Sequence, residues 1–171
     1  MNFTIKSIAS WTVLVLMLMQ AIPLNRINPP VISDIPVQAP VKNALKKACY
    51  DCHSNETNWQ GIAYIAPFSW LTAITVNAGR NAINFSAWNN ETGWKYLASR
   101  TEIISFITKP GSHYREYYLW NPEAKLTGSE CTTLSAWYVS LEKEQHSLKN
   151  SAARGGEVMA HRRHPTPETT R

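Results

Sequence analysis

Cys49-Tyr50-Asp51-Cys52-His53 is the stretch of this 171-residue chain that decides its fold. Two cysteines three positions apart, followed at once by a histidine, form the attachment motif of a c-type haem. Three residues are nearly one helical turn, so Cys49 and Cys52 lie on one face and can each form a thioether with a porphyrin vinyl group. His53 can then offer a neutral imidazole nitrogen to the iron. The motif predicts one covalently bound haem c with His53 as the proximal ligand.

Two other interpretations of the motif have less support. A thioredoxin-like redox pair expects a βαβ pattern around the cysteines, and a structural zinc site expects two further ligands at characteristic spacing. Neither context is present in the sequence, where Cys131 is the only other cysteine. Cys131 has no thiol partner once the haem is attached, and we expect it to be a small apolar residue buried in the last helix.

The first 24 residues have the composition of an export segment. Lys6 precedes an apolar run over residues 8–22 that three polar residues interrupt. Few small residues precede a possible cleavage site, so a retained anchor is favoured over a cleaved signal. A run of fifteen residues is nevertheless short for a helix that spans the whole membrane. Lys6 favours a cytoplasmic N-terminus, with the rest of the chain on the far side of the membrane. We expect a periplasmic protein anchored to the cytoplasmic membrane.

The remaining sequence divides into three parts. Residues 25–40 contain four prolines and few consecutive apolar residues, which predicts an extended tether. Residues 41–145 are enough for one small domain and not for two. Residues 146–171 are polar and predict a disordered tail. Five basic and two acidic residues give this tail +3 of the formal net charge of +5, so the domain itself is nearly neutral.

The domain sequence has apolar residues at helical spacing and no convincing strand pattern. Helices are predicted at residues 41–48 after Pro40, at 69–82, at 92–108 and at 127–145. Thr127 with Glu130 three residues later has the pattern of a capping box. The sequence therefore predicts a small all-α domain behind an N-terminal hydrophobic segment.

Seven tryptophans and seven tyrosines are many for a chain of this size. Small domains bury little of their surface, so large aromatic side chains and a porphyrin both contribute apolar area to the core. Trp59, Tyr64, Phe68 and Trp70 follow the haem motif closely in sequence. We expect these four side chains to pack against the haem, and for each of them ordinary core packing is an equal alternative.

Four runs of sequence resemble one known family, in the right order. They are CYDCHSNET at residues 49–57, YIAPFSWL at 64–71, NFSAW at 84–88 and YYLWNPEAKLT at 117–127. Over roughly residues 29–141 the chain is similar to the bacterial haem-binding domain family of small, exported, cytochrome-c-like proteins. The resemblance implies an all-helical, periplasmic or membrane-tethered protein with a cytochrome-c-like fold and one haem.

The sixth iron ligand is where the sequence departs from that family. Members commonly carry a Gly-x-Met-Pro segment just before the tyrosine pair, and its methionine is the natural distal ligand. Here the corresponding stretch reads Gly111-Ser112-His113-Tyr114, so His113 occupies the methionine position. Beyond the export segment the only methionine is Met159, in the tail. His113 is therefore the candidate distal ligand, with an open or water-bound iron as the alternative.

Three classes of function are compatible with these residues. An electron carrier needs an exposed haem edge and a redox partner protein, and it demands least of the sequence. An open sixth position would permit a haem-based sensor or ligand-binding module, or less readily a peroxidase using His113 and Arg115. No other catalytic motif is visible, and nucleic acid is not expected as a partner outside the cytoplasm. We expect electron transfer at the outer face of the bacterial cytoplasmic membrane.

Overall fold

The computed structural model describes residues 4–109, 113 and 115–162, and within these ranges it is helical and without strands. The eight α-helices of the described residues are α1 Ile5–Gln20, α2 Ala39–Ala48, α3 Tyr50–His53, α4 Phe68–Ala82, α5 Thr92–Ala98, α6 Glu102–Thr108, α7 Tyr117–Trp120 and α8 Gly128–Arg162. Short 3-10 turns lie at Gly61–Tyr64 and Pro122–Ala124. The predicted all-α fold is confirmed.

The core forms where α2, α5 and α6 pack against α8. Leu134, Tyr138 and Leu141 lie three or four residues apart on α8, so they share one face of the helix. This face is buried in one apolar cluster with Leu45 of α2 and Leu97 of α5. The helical spacing of apolar residues in the sequence thus corresponds to the buried faces of the helices.

The start of α8 has the capping box that Thr127 and Glu130 predict. The backbone N–H of Glu130 donates to Thr127 Oγ1 at 3.3 Å, and the backbone N–H of Thr127 donates to Glu130 Oε2 at 2.7 Å. Lys47 of α2 forms an ion pair with the same carboxylate at 2.7 Å. The first turn of α8 is thereby joined to the helix that leads into the haem motif.

The prediction of one continuous helix over residues 92–108 is wrong, because α5 and α6 are separate. The hydroxyl of Tyr138, on α8, lies 3.0 Å from the carbonyl oxygen of Leu97 and 2.7 Å from that of Arg100. Each of these carbonyls also accepts a backbone N–H in the turn between the helices, and the buried hydroxyl shares its one proton between them. The break between the helices is therefore stabilised by a residue distant in sequence.

The segment predicted as a tether is extended but lies along the domain. We call residues 26–35 the N-terminal strap. The backbone N–H of Ile32 donates to the carbonyl of Ser86 at 2.9 Å, and Ile35 is only 3% exposed. Asp34 accepts a hydrogen bond from the Tyr50 hydroxyl at 2.7 Å. The strap differs from a free linker because its polar groups find partners on the domain.

The last helix continues beyond the predicted end of the domain at residue 145. It reaches Arg162, so residues 146–162 of the predicted disordered tail are helical. Once a helix is capped and packed at its start, each added residue gains a backbone hydrogen bond without a new nucleation cost. Residues 163–171 of the predicted tail lie outside the described residues.

The N-terminal apolar run forms α1, none of whose residues is buried. The end of α1 contacts the domain: Gln20 Nε2 donates to the carbonyl of Ala66 at 3.5 Å, and the backbone N–H of Ala66 donates to Gln20 Oε1 at 3.3 Å. No helix in the described part of the chain combines the length and the apolar character needed to cross a membrane.

Candidate functional site

The haem motif lies at the junction of α2 and α3. Cys49 follows the last residue of α2, and α3 contains both Cys52 and His53. The backbone N–H groups of Cys52 and His53 both donate to the carbonyl of Cys49, at 3.2 and 2.9 Å. The two cysteines are therefore one helical turn apart in the structure, with the histidine directly after them.

Helix α4 packs on the backbone of the motif at Gly79. A Cβ atom added to Gly79 would lie 2.9 Å from the carbonyl carbon of Cys52 and closer still to its oxygen. Any larger side chain would therefore push the motif away from α4. The absence of a side chain at position 79 allows this contact, and no motif in the sequence had indicated it.

Both thiols of the motif are protonated at neutral pH. Burial, with the neighbouring Cys52, raises the pKa of Cys49 to about 12. Burial, with the Asp51 carboxylate, raises the pKa of Cys52 to about 11. Thiolates are the form that binds metal ions, and the described residues contain no group of three His, Cys, Asp or Glu side chains arranged around a metal site. Uncharged thioether sulfurs suit these positions, because a buried neutral group avoids the cost of burying a charge.

The imidazole of His53 is oriented by a backbone carbonyl. Nδ1 lies 3.3 Å from the carbonyl oxygen of Ile83, which can only accept a hydrogen bond. Nδ1 therefore carries the proton, and Nε2 keeps its lone pair for a metal. Burial lowers the pKa of His53, which favours the neutral ring. A neutral nitrogen whose partner nitrogen is hydrogen-bonded is the usual state of a metal-binding histidine.

His113 lies across from His53. The two ring centres are 6.2 Å apart and the ring planes are inclined by 25°. Two imidazoles that bind one metal from opposite sides, through bonds of about 2 Å, hold their ring centres roughly 6 Å apart. Partial burial lowers the pKa of His113, and Phe106 of α6 stacks on its ring at 4.5 Å between centres. The separation and protonation of the two rings both fit a shared iron.

A cavity of about 580 Å³ opens beside Cys52. Its walls come from the segment after the motif, from the first half of α4, and from α7 with its flanking residues. Trp59 and Phe68, two of the four aromatic side chains expected against the haem, line this cavity. Trp120 lines it too, with its ring centre 6.0 Å from that of Phe68. An apolar cavity is therefore present next to Cys52, one of the two candidate attachment cysteines.

The other two expected aromatic residues lie elsewhere. Tyr64 is 53% exposed, and the guanidinium of Arg26 lies over its ring at 4.7 Å from the centre. Trp70 is nine residues before Gly79, which at 3.6 residues per turn puts it on the opposite side of α4 from the motif. Neither residue is among those that line the cavity. Closeness to the motif in sequence does not determine which side of a helix a residue occupies.

Besides Gly79, sequence reasoning missed three residues that hold the site together. The Tyr117 hydroxyl donates to Asp51 Oδ2 at 2.6 Å, which joins α7 to the haem motif. Burial and this carboxylate raise the pKa of Tyr117, so the hydroxyl remains a donor. Tyr117 could have been suspected from the YYLWNPEAKLT run. Ile83 acts through its backbone carbonyl, which accepts from His53, and Phe106 acts by stacking on His113. Neither contact depends on a sequence motif, so the sequence did not indicate either residue.

Comparison with known proteins gives one match. A family model described as a haem-binding domain matches residues 14–140, a segment that includes the motif, His113 and the cavity. Neither the curated proteins nor the solved structures gave a match to the chain.

Proposed function

Because the chain belongs to the haem-binding domain family, we propose that its haem is a single haem c, attached through Cys49 and Cys52 and ligated by His53 and His113. The observation that carries this proposal is the pair of neutral imidazoles with ring centres 6.2 Å apart, beside two cysteines one helical turn apart. Haem bound in this way supplies one-electron exchange between ferric and ferrous iron.

We further propose that the protein transfers electrons. Two axial ligands from the chain would leave no position open for a substrate or gas, which favours electron transfer over sensing or peroxidase chemistry. Ile83 and Phe106 serve this function by fixing the two imidazoles. Methionine ligation raises the reduction potential of a haem, so an imidazole at the sixth position lowers it. The expected potential is lower than that of methionine-ligated relatives.

The proposed location is the outer face of the bacterial cytoplasmic membrane, with another redox protein as partner. The apolar α1 behind Lys6 supports export and retention at the membrane. The nearly neutral charge of the domain argues against strong electrostatic steering of that partner. Fractionation of cells that produce the full chain checks the location: recovery with the membrane is expected, and recovery in the cytoplasm would contradict it.

Covalent attachment is tested by producing the full chain together with a haem-attachment system. After denaturing electrophoresis, the haem is expected to remain on the chain. Cys49→Ser with Cys52→Ser should release it, whereas Cys131→Ser, the matched control at the third cysteine, should retain it. Loss of haem from the unaltered chain under denaturing conditions would contradict a covalent bond.

The sixth ligand is tested by absorption spectra of the oxidised, reduced and carbon-monoxide-treated reduced protein. We expect a six-coordinate, low-spin spectrum that carbon monoxide leaves unchanged. His113→Ala should give a high-spin spectrum that shifts with carbon monoxide, and His113→Met should raise the reduction potential. His146→Ala, on the exposed side of α8, is the control and should behave like the unaltered chain. A carbon monoxide shift in the unaltered chain would move the proposal to a sensor or ligand-binding module.

A further inference from the structure

Asp51 lies inside the haem motif and is fixed through both its side chain and its backbone. Its Oδ1 accepts a hydrogen bond from the backbone N–H of Asn58 at 3.0 Å, and its backbone carbonyl accepts one from Thr57 Oγ1 at 2.7 Å. Both donors belong to the segment that follows α3. The second carboxylate oxygen of Asp51 is therefore an acceptor at a fixed position, two residues before His53.

That oxygen accepts a hydrogen bond from Tyr117, the first residue of α7. The Tyr117 hydroxyl lies 2.6 Å from Asp51 Oδ2, and both residues line the cavity beside Cys52. A hydrogen bond to a charged acceptor is short and roughly twice as strong as one between neutral groups. This contact therefore fixes the start of α7 to the helix that contains His53.

His113 precedes Tyr117 by only four positions. Four residues span at most about 14 Å, so a fixed Tyr117 limits how far His113 can move from the motif. Phe106 stacks on the His113 ring at 4.5 Å between centres, which orients the ring but does not fix the chain that carries it. The hydrogen bond between Tyr117 and Asp51 supplies that second restraint.

We propose that Tyr117 is a positioning residue for the sixth iron ligand, because its hydrogen bond to Asp51 keeps His113 bound to the iron. The inference rests on the proposed ligation by His113 and adds what makes that ligation stable. An imidazole on the same chain competes with outside ligands through its effective concentration at the iron. This concentration falls when the segment that bears the imidazole gains freedom. Helix α3 thus serves both axial ligands, since it contains His53 and restrains His113 through Asp51.

The restraint has a consequence for the class of function. Ferrous haem with a vacant sixth position binds gases such as carbon monoxide and oxygen. A distal ligand that leaves on reduction would therefore turn an electron carrier into a gas-binding protein. In this proposal Tyr117 keeps the chain in the first class, although it does not touch the iron.

Cyanide binding to the ferric, haem-loaded full chain tests the proposal, because cyanide can bind the iron only when His113 leaves it. The absorption change is followed after stopped-flow mixing. Tyr117→Phe removes a hydrogen bond to a charged acceptor, so we expect cyanide to bind at least about tenfold faster. Tyr96→Phe, on α5 with Arg100 over its ring, is the matched control and should leave the rate unchanged. Equal rates in Tyr117→Phe and the unaltered chain would overturn the proposal.

A double-mutant cycle tests whether the effect of Tyr117 depends on Asp51. Asp51→Asn keeps an acceptor oxygen of the same shape and removes its charge, so a smaller acceleration of cyanide binding is expected. The double variant should bind cyanide at the rate of Tyr117→Phe alone, because the two side chains share one interaction. Effects that multiply in the double variant would show that Tyr117 acts independently of Asp51, which contradicts the proposal.

Failure of the ligation itself gives a different result. If the unaltered chain binds carbon monoxide when reduced and binds cyanide as fast as His113→Ala does, His113 is not the ligand, and the proposed ligation is wrong together with this inference. If the unaltered chain resists both ligands and Tyr117→Phe has a lower Tm with an unchanged cyanide rate, Tyr117 is only structural. That second result would overturn this inference and leave the ligation by His113 standing.

Discussion

Gly79 allows α4 to pack directly against the backbone of the haem motif. Gly79→Ala is expected to destabilise the domain by about 1–3 kcal/mol, because its methyl group would clash with the backbone of Cys52. Thermal unfolding of the haem-loaded protein measures this as a lower Tm. The matched control is Gly128→Ala, whose methyl group would meet no atom within 4 Å. Equal Tm values for the two variants would show that α4 can shift without loss.

At the residue scale, the sequence reveals what covalent chemistry requires. The proposed haem attachment requires cysteine and histidine at fixed spacing, so the residue types and spacing of Cys49, Cys52 and His53 are enough to make them candidates. Ile83 supports His53 through its carbonyl oxygen, a group that every residue has, so no residue type identifies it. Sequence distance alone makes Trp70 a candidate for contact with the haem, and only the course of α4 shows that it lies on the opposite side of the helix from the motif.

Tyr138 holds apart two elements that the sequence predicts as one helix. Tyr138→Phe is expected to destabilise the domain by about 0.5–1.5 kcal/mol, because the carbonyls of Leu97 and Arg100 lose the buried hydroxyl and keep only their backbone N–H partners. For a domain of this size that loss lowers the Tm by roughly 4–8 °C per kcal/mol. Tyr64→Phe, at a ring that is 53% exposed, is the control and should leave the Tm nearly unchanged. An unchanged Tm in Tyr138→Phe would mean that the backbone N–H groups of Arg100 and Ile103 satisfy the two carbonyls by themselves.

Glu130 connects α8 with α2 and makes the stability of the domain depend on pH. The ion pair with Lys47, followed by the Thr127 backbone N–H, lowers the pKa of Glu130 from 4.5 to about 2. The unfolded chain therefore takes up a proton at higher pH than the folded one, so this stabilisation is complete above about pH 4.5 and is lost as the pH falls towards 2.

The matching measurement compares Tm against pH for the unaltered chain and Glu130→Gln. The unaltered chain should be more stable at neutral pH, and the difference should shrink between about pH 4.5 and 2. Glu144→Gln, on the exposed side of α8, is the control and should give no such difference. A difference that is constant over this range would contradict the role given to the carboxylate.

At the element scale, features that depend on neighbouring residues in the sequence could be predicted, whereas features that depend on tertiary contacts could not. The capping box of Thr127 and Glu130 and the proline in the first turn of α2 depend on neighbours in sequence, and both are in the structure. The break between α5 and α6 depends on Tyr138, some forty positions away, so the apolar periodicity over residues 92–108 could not reveal it. The extension of α8 beyond residue 145 follows from the capping box and packing at the start of the helix, which the polar composition of residues 146–162 does not reveal.

The N-terminal strap contributes to the whole molecule through Asn28. Its side chain donates to the carbonyl of Thr57 at 2.8 Å and accepts from Trp59 Nε1 at 3.0 Å and Arg80 Nη2 at 2.7 Å. Asn28→Ala is expected to cost about 2 kcal/mol and to speed hydrogen exchange in the strap. Asn25→Ala is the matched control, because Asn25 accepts a hydrogen bond from Ile27, within its own turn. Slow exchange in Asn28→Ala would show that the strap is held without Asn28.

At the scale of the whole molecule, the prolines predicted an extended strap but not its position. An extended conformation is a local property of residues 25–38, whereas the strap forms its hydrogen bonds to the domain with residues 50–88 and an ion pair with Lys42. Composition alone therefore could not distinguish a strap from a linker.

The strap also sets an order of events if, as the proposed location requires, the residues after α1 cross the membrane in the order of the sequence. Residues 26–35 would leave the cytoplasm early, but Ser86, which accepts from Ile32, and Arg80, which donates to Asn28, follow more than fifty positions later. Such distant contacts form late, since a long loop must close first. Cys49 and Cys52 would emerge in the interval, while Asn28 still lacks Arg80. The domain would thus remain open to the haem-attachment machinery until about half of the chain has crossed, and docking of the strap would complete maturation.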